Sequence, residues 1–398
     1  MRFVLAVAFA AAATTARGGD TVSEASFLAA AEGLAARALV EDVARAEAQR
    51  GRVALLANPR LEAGREQPDG NPRQTTWALS WSPPLDGRRG LSIDAADAGL
   101  RAAQARLDAD RLSLRRGLRA TYAAWALAVA RAERLSPLAL SVRAGAAKAR
   151  RRADAGEMSG LAARRLELAS AELEGELARA EAEALRTGAV ARGYWPELPA
   201  EGRPLLPLLT SPPVTGFDGA GRRDVEALAE EARRAGFEAR LAGRWLAGPE
   251  LYGGWQTLSL AGTRVGGPVF GINWTVPLFD RAQPARAEWA LRRDAAEARL
   301  KLARARARAE AAGTAAAYER LRGAAVQAES AAESGARVME AAQASFEAGE
   351  SSLTDLLDSL RAARDARLGA LGLLGDALAA HRDLEAALGR PLTDGGDR

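Results

Sequence analysis

The sequence has no cysteine among its 398 residues. That excludes a disulfide scaffold, thiolate metal sites and thiol catalysis, and with them a lipid anchor on an N-terminal Cys. Lys148 and Lys301 are the only lysines, and His381 is the only histidine. A single His without Cys partners forms no metal site; near the end of the last helical stretch it reads as a solvated residue. No Ser/His/Asp set is visible. Gly262, Gly266 and Gly267 are followed by no Gly-Lys-Ser/Thr, so they read as strand-loop glycines rather than a phosphate loop. The chain reads as a non-enzyme with no cofactor and no metal. It also lacks any apolar run near the ~20 residues that a membrane helix requires.

Charge is plentiful and balanced. Lys+Arg total 55 and Asp+Glu 51, a net charge of +4, and almost all the cations are Arg. They alternate with acids and alanines at helical spacing, which makes solvated helix faces; a nucleic-acid surface would gather them into a patch. No nucleic acid is expected as a partner. The N-terminus supplies an address. Arg2, the apolar run Phe3 to Ala13, and small residues at Ala11, Ala13 and Ala16 form a basic region, a short hydrophobic stretch and a cleavage zone. Residues 1–19 are read as a signal peptide and the mature chain as exported. If it enters a membrane, it does so through strands.

Landmarks recur at a fixed offset of 193 positions: Ala155-Gly156-Glu157-Met158-Ser159-Gly160-Leu161 with Ala348-Gly349-Glu350-Ser351-Ser352-Leu353-Thr354, Trp81 with Trp274, Pro84 with Pro277, Thr121 with Thr314. A constant offset marks a duplication. The expected organisation is a first repeat over 20–200, a Pro-rich connector over 201–222, a second repeat over 223–390 and a disordered tail over 391–398.

Within each repeat the hydrophobic period changes. Thr21 to Gln49 reads as an amphipathic helix. Ala57, Pro59, Leu61 and Ala63 then alternate with polar residues, as do Trp77, Leu79 and Trp81 beyond a Gly/Pro/Asp/Asn-rich loop, which predicts a strand hairpin. Asp86 to about Arg152 is helical over roughly 100 Å. Ser136-Pro137 is a kink point, Gly156 a turn, and Leu161 to Thr187 the returning helix. In the second repeat, Asp224 to Ala235 reads as a short helix and Phe237 to Trp245 as a strand. Gly248 to Gly267 reads as a loop with strand extensions, and Phe270 to Val276 as a strand. The next helix carries a heptad seam at Leu291, Ala295, Ala298, Leu302, Ala305, Ala309, Ala312 and Ala316. After a slip it resumes at Leu321, Ala325, Ala328, Ala332, Gly335, Met339, Ala342 and Phe346. A final helix runs from Leu353 to about Leu388.

The four alternating strands carry Trp77, Trp81, Trp245 and Trp274 on their apolar phase. Apolar-out alternation with an aromatic girdle marks outer-membrane barrels, so these four are expected to face lipid. Four strands close no barrel, since about eight is the least that does. An open edge in lipid leaves backbone groups unpaired at a cost of several kcal/mol each. Several chains must then share one barrel.

This order of parts resembles the TolC-like outer-membrane efflux protein family over essentially the whole mature chain. The resemblance rests on Asn58-Pro59-Arg60-Leu61 in the first strand and Ile272-Asn273-Trp274-Thr275-Val276-Pro277-Leu278-Phe279-Asp280 where the last strand enters its helix. Arg222-Arg223-Asp224-Val225-Glu226 and the tip Phe346 to Asp358 complete it. Asn58 to Glu62 and Pro84 to Gly90 are most similar to the heavy-metal efflux branch. The resemblance implies a mainly α fold with a small β part. Long α-helical hairpins would form a trimeric periplasmic tunnel, and four strands per chain would contribute to a shared twelve-strand transmembrane β-barrel. It also implies an outer-membrane duct in a homotrimer, seated in outer-membrane lipid and docked to a periplasmic adaptor (membrane fusion) protein and an inner-membrane pump.

Asp355 and Asp358 lie i, i+3 on one helix face with Ser351 beside them. Capping accounts for Asp355, because Ser352 with an acid three residues on is a helix start. It accounts less well for Asp358. The resemblance implies a second role, in which these acids and Ser351 line a constricted periplasmic entrance as stacked acid rings. By the same resemblance the adaptor docks at the tips, Gly156, Glu157, Met158 and Ser159 in the first hairpin and Gly349, Glu350 and Ser352 in the second. The first hairpin holds Ala162 and Arg165 where the second holds the acids, so Arg165 can pair with Asp358 if the tips meet. The competing reading is a soluble periplasmic coiled-coil scaffold or adaptor protein, which leaves Trp-rich strands without a lipid partner. An exported enzyme lacks a catalytic set.

Overall fold

In the computed structural model, which describes residues 21–35, 39–67, 73–199, 201–207, 209, 221–244, 246, 248–260 and 262–392, strand pairs and helix pairs follow one another twice. The order is β1 (Thr21–Val22), α1 (Glu24–Ala35), α2 (Glu41–Ala54), β2 (Arg60–Glu66), β3 (Arg73–Trp81), α3 (Arg88–Asp154) and α4 (Gly160–Tyr194). Then come β4 (Arg203–Pro204), α5 (Arg223–Gly243), β5 (Glu250–Leu260), β6 (Thr263–Asn273), α6 (Gln283–Ala348) and α7 (Leu353–Leu388). The signal-peptide reading lies outside the described residues.

Helices α3 and α6 have 67 and 66 residues, each about 100 Å at 1.5 Å per residue. Ala and Arg dominate both, with Leu common in α3 and Glu in α6, and all four are strong helix formers. Helix α3 runs through Pro137 without interruption. Both long helices start at the same kind of corner. The Asp86 carboxylate accepts from the Arg88 N–H at 3.0 Å, and the Asp280 carboxylate accepts from the Ala282 N–H at 2.8 Å. The residue before each helix is left-handed, Gly87 at φ 72° and Ala282 at φ 57°.

Helix α3 packs along α4 and α6 along α7, while α5 lies against both long helices. The buried residues of α3 are mostly Ala, so the axes approach closely. One core sits where α1 meets the middle of α3. The Phe27 ring lies tilted against that of Tyr122 at 5.7 Å, Trp125 meets Tyr122 edge-on, and the Tyr122 hydroxyl reaches the Val22 and Leu205 carbonyls, each at 2.7 Å. Burial lifts that phenol to a pKa of about 12. Arg119 of α3 holds Glu24 of α1 at 2.5 Å and Glu385 of α7 together. Burial raises the Glu385 carboxyl above its ordinary value, against the pull of Arg119.

Several expectations need correction. The first helix is two, α1 and α2, with strand β1 before them. Phe237 to Gly243 continues helix α5 rather than forming a strand. Glu238, Ala239, Arg240 and Leu241 are helix formers, and Phe237 and Leu241 are also spaced i, i+4. The expected glycine-rich loop is most of strands β5 and β6, joined at Gly262 with φ 87°. His381 is not solvated. It is 3% exposed and meets the Tyr318 ring edge-on at 5.2 Å, because α7 continues past it against α6.

The heptad seam of α6 divides in two. From Leu321 to Phe346 it holds: Ala325, Ala332 and Met339 are buried and the residues between them in the seam half-buried. From Leu291 to Ala316 it faces away from the rest of the chain, with Leu291 70% exposed; Ala307, Ala311 and Tyr318 make the buried contact there. Among the described residues, no helix is long and apolar enough to cross a membrane.

Candidate functional site: sheet and hairpin tips

The two strand hairpins join in one antiparallel sheet of order β2-β3-β5-β6. Register puts Ala63, Trp77, Trp255 and Pro268 in one row and Leu61, Leu79, Gly253 and Phe270 in the next. Trp81, Leu251 and Ile272 form a third. Directly opposed residues share a face, so these three rows form one apolar band; the next rows on the same face are polar, Arg65, Thr75 and Thr257, then Arg73, Ser259 and Arg264. The band is open to solvent in the single chain, Trp77 at 55%, Trp255 at 53% and Phe270 at 79% exposed. The other face carries Glu62, Gln74, Thr76, Ser80, Gln256 and Asn273.

Glycine makes the aromatic face possible. A Cβ on Gly253 would touch the Phe270 ring at 3.2 Å, and one on Gly266 would sit 2.8 Å from the Trp255 indole nitrogen. On the polar face, a Cβ on Gly271 would overlap the Tyr252 ring. Rings lie flat across strands where glycine leaves room. Trp77 and Trp81 stand where the alternation placed them. Trp274 falls one residue beyond β6 and is exposed, and Trp245 lies outside the described residues. Trp255 was hidden from the sequence reading by its glycine-rich surroundings, although Tyr252-Gly253-Gly254-Trp255 is the signal that a ring-over-glycine strand leaves.

At the far end, the two hairpin tips are built alike. Gly156 donates to the Ala153 carbonyl and Glu157 to Arg152, at 3.0 and 2.8 Å. Gly349 donates to Phe346 and Glu350 to Ser345, at 3.1 and 2.9 Å. Ser159 and Ser352 are both N-caps of the returning helix. Gly156, Glu157, Ser159, Gly349, Glu350 and Ser352 are exposed, while Met158 and Ser351 are half-buried. The Ser351 hydroxyl is buried without a hydrogen-bond partner.

The second tip alone has a full capping box. Asp355 N–H donates to Ser352 Oγ at 3.2 Å, and the Asp355 carboxylate accepts from the Ser352 N–H at 3.1 Å and its hydroxyl at 2.7 Å. The Ser352 hydroxyl, then its N–H, hold the Asp355 carboxyl below its ordinary value. Asp358 is exposed on the same side, opposite buried Leu356 and Leu360, and its ion pair is to Arg361 at 3.3 Å. Arg165 lines the same cleft as Asp358 but is not its partner; the nearer Arg361, one turn on, has taken that place.

Polar ties that the sequence did not announce join the hairpins. Arg134 grips Glu329 with two bonds of 3.0 and 2.8 Å, Ser141 donates to Gln343 at 2.9 Å, and Lys148 pairs with Glu347 at 3.1 Å. The Lys148 bond lowers the Glu347 carboxyl from its ordinary value. Arg364 of α7 reaches Glu176 of α4 at 3.2 Å.

No protein-family model and no curated protein matches the sequence. Solved structures do match. CusC, in a study of folding and transmembrane channel formation, aligns over 95% of this chain and 96% of its own, at a TM-score of 0.78 and 16% identity. The outer membrane protein VceC from Vibrio cholerae aligns over 93% and 97%, at 0.72 and 16%. The open state of the MtrE outer membrane channel from Neisseria gonorrhoeae aligns over 93% and 90%, at 0.72 and 20%. Coverage of nine tenths or more in both directions, through two strand hairpins and two helical hairpins, gives this chain the fold of the TolC-like outer-membrane channels.

Proposed function

We propose that the chain is one protomer of an outer-membrane efflux channel. It would be a passive duct that receives small molecules or metal ions from a periplasmic adaptor and an inner-membrane pump. The apolar face running through all four strands carries this reading. It is continuous, aromatic and uncovered, and only lipid or a second chain would cover it. Among the described residues the outer edges of β2 and β6 are unpaired, and four strands cannot close on themselves. The uncovered heptad seam of α6, Leu291 to Ala316, supports packing between copies at the helical level too. Two copies are the fewest that could close a barrel; the family resemblance sets three.

On this reading residues 1–19 direct export. The repeats 20–200 and 223–390 are joined by 201–222, with 391–398 as a tail. The barrel lies in the outer membrane, and the helices extend into the periplasm. Trp77, Trp81, Trp245 and Trp274 sit in the lipid belt. Asp355, Asp358 and Ser351 form the constriction, and the exposed tips receive the adaptor. Similarity to CusC agrees with the heavy-metal branch that Asn58 to Glu62 and Pro84 to Gly90 suggest.

The mass of the detergent-solubilised protein, measured with its conductance in planar bilayers, tests the proposal. A trimer that forms ion-conducting pores is expected. A monodisperse monomer with intact helices, found in the soluble periplasmic fraction, would instead identify a scaffold.

A further inference from the structure

Behind the tips, α3, α4, α6 and α7 leave a cavity of about 250 Å³. Val142, Leu166, Met339 and Leu360 wall it, all buried, with Met158 and Phe346 half-buried beside them. Met158 and Met339 are the only methionines after Met1, so both internal thioethers meet at this one place. An apolar cavity of about 150 Å³ already holds a benzene-sized guest. Unbranched Met side chains adapt to the shape of what they contact.

One wall is charged. Lys148 and Arg152 line it together with Glu347, and Ser141 and Gln343 complete it. Glu347 accepts from Lys148 at 3.1 Å and from the Gln343 amide at 3.5 Å. Arg152 has Glu157 at 3.7 Å, a residue outside the cavity wall. Two cations face one carboxylate on the wall itself.

We infer that this cavity binds a small amphipathic anion, an apolar body of one or two fused rings bearing a single carboxylate or sulfonate. The ring lies among Met158, Met339 and Phe346, and the anionic group meets Lys148 and Arg152. Its walls come from both hairpins, so the ligand bridges them and favours the hairpin spacing that it fits. The site stands whether or not the chain conducts.

Equilibrium dialysis of 1-naphthoate against the purified full-length protein in micelles tests this, with 1-naphthylmethylammonium as a cation of the same body. Saturable binding of the anion is expected, with the cation bound at least about tenfold more weakly. Lys148→Met keeps the aliphatic stem of an exposed side chain and should weaken naphthoate binding about tenfold. Glu347→Gln should strengthen it. Ala149→Phe fills the cavity and should abolish binding. Because Ala149 is buried, that variant is scored only when it keeps wild-type circular dichroism and oligomeric mass, and Lys148→Met carries the test otherwise. No saturable binding beyond protein-free micelles, equal binding of anion and cation, or unchanged naphthoate binding in Lys148→Met would each overturn the site.

Discussion

Gly156 and Gly349 hold the same left-handed backbone, φ 77° and 79°, and each donates its N–H to the carbonyl three residues before it. The following residue in each case donates five residues back. This pair of bonds satisfies the last carbonyls of a helix and turns the chain, and it requires a C-terminal residue at positive φ. The duplication seen in the sequence is thus a duplication of turn chemistry.

Replacing Gly349 with Val should therefore destabilise the second tip by about 1–2 kcal/mol, the cost of a side chain in the left-handed region. Asn, which tolerates that region, should cost less. No side-chain atom lies near a Cβ built at this position, so backbone strain alone is at stake. Hydrogen exchange of amides near residues 345–356 reads the effect. Equal protection in Gly349→Val and wild type would remove the turn from the account.

Tyr122 offers a second test, at the other core. Its hydroxyl is a buried donor with two carbonyl partners, Val22 and Leu205. Tyr122→Phe leaves both carbonyls short of that donor and should cost about 1–3 kcal/mol. The same group sets a pH limit. Its pKa is raised from 10.0 to about 12 in the folded chain, so the neutral phenol is favoured by folding. That stability is complete below pH 10 and is lost as pH rises from 10 towards 12. Alkaline unfolding monitored by circular dichroism should lose this component in Tyr122→Phe.

The rows of the sheet give a third. Trp255 stands directly opposite Trp77 on the apolar face. Trp255→Arg should impair membrane assembly, since Arg on a lipid-facing barrel surface is destabilising, by up to about 2–4 kcal/mol where the site is deepest. Thr257→Arg, one row further along where the face turns polar, is the control and should cost less. The yield of folded oligomer from outer membranes decides it; an undiminished yield of Trp255→Arg would place this face away from lipid.

How much of this was legible depended on whether a pattern's partner lay within the chain. The seam from Leu321 to Phe346 was read correctly, and its partner is α7. The seam from Leu291 to Ala316 is as clear, yet among the described residues no element covers it. At 237–245 two periods coexisted, and Phe237 with Leu241 obeyed the helical one. Strand β5 was hidden because Gly253 and Gly254 count against a strand until the Phe270 ring and the Trp77 carbonyl are seen against them. A position near a chain end says little about burial, and His381 is buried there. The cap at Ser352 and Asp355 was local, and local chemistry was readable.

That cap separates the two acids at the tip. Asp355 spends its carboxylate on Ser352, whereas Asp358 has only a solvent-exposed Arg361. Asp355→Asn should lower the stability of the start of α7, and the loss should resemble that of Ser352→Ala. Because Asp355 is held below the ordinary carboxylate range, its contribution to stability should be complete above that range and be lost as pH falls from it to the lower value of the folded chain. Asp358→Asn touches no cap and should leave stability unchanged, since exposed ion pairs contribute little. Any effect of Asp358→Asn on the pore is then an effect of charge. If three copies bring Asp358 around one axis, removing those carboxylates should reduce cation selectivity and weaken block by trivalent cations. Single-channel recording of Asp358→Asn alone isolates this. Wild-type selectivity and block in that variant would confine Asp358 to the surface of the helix, and a lowered selectivity with wild-type melting would fix Asp358 in the entrance.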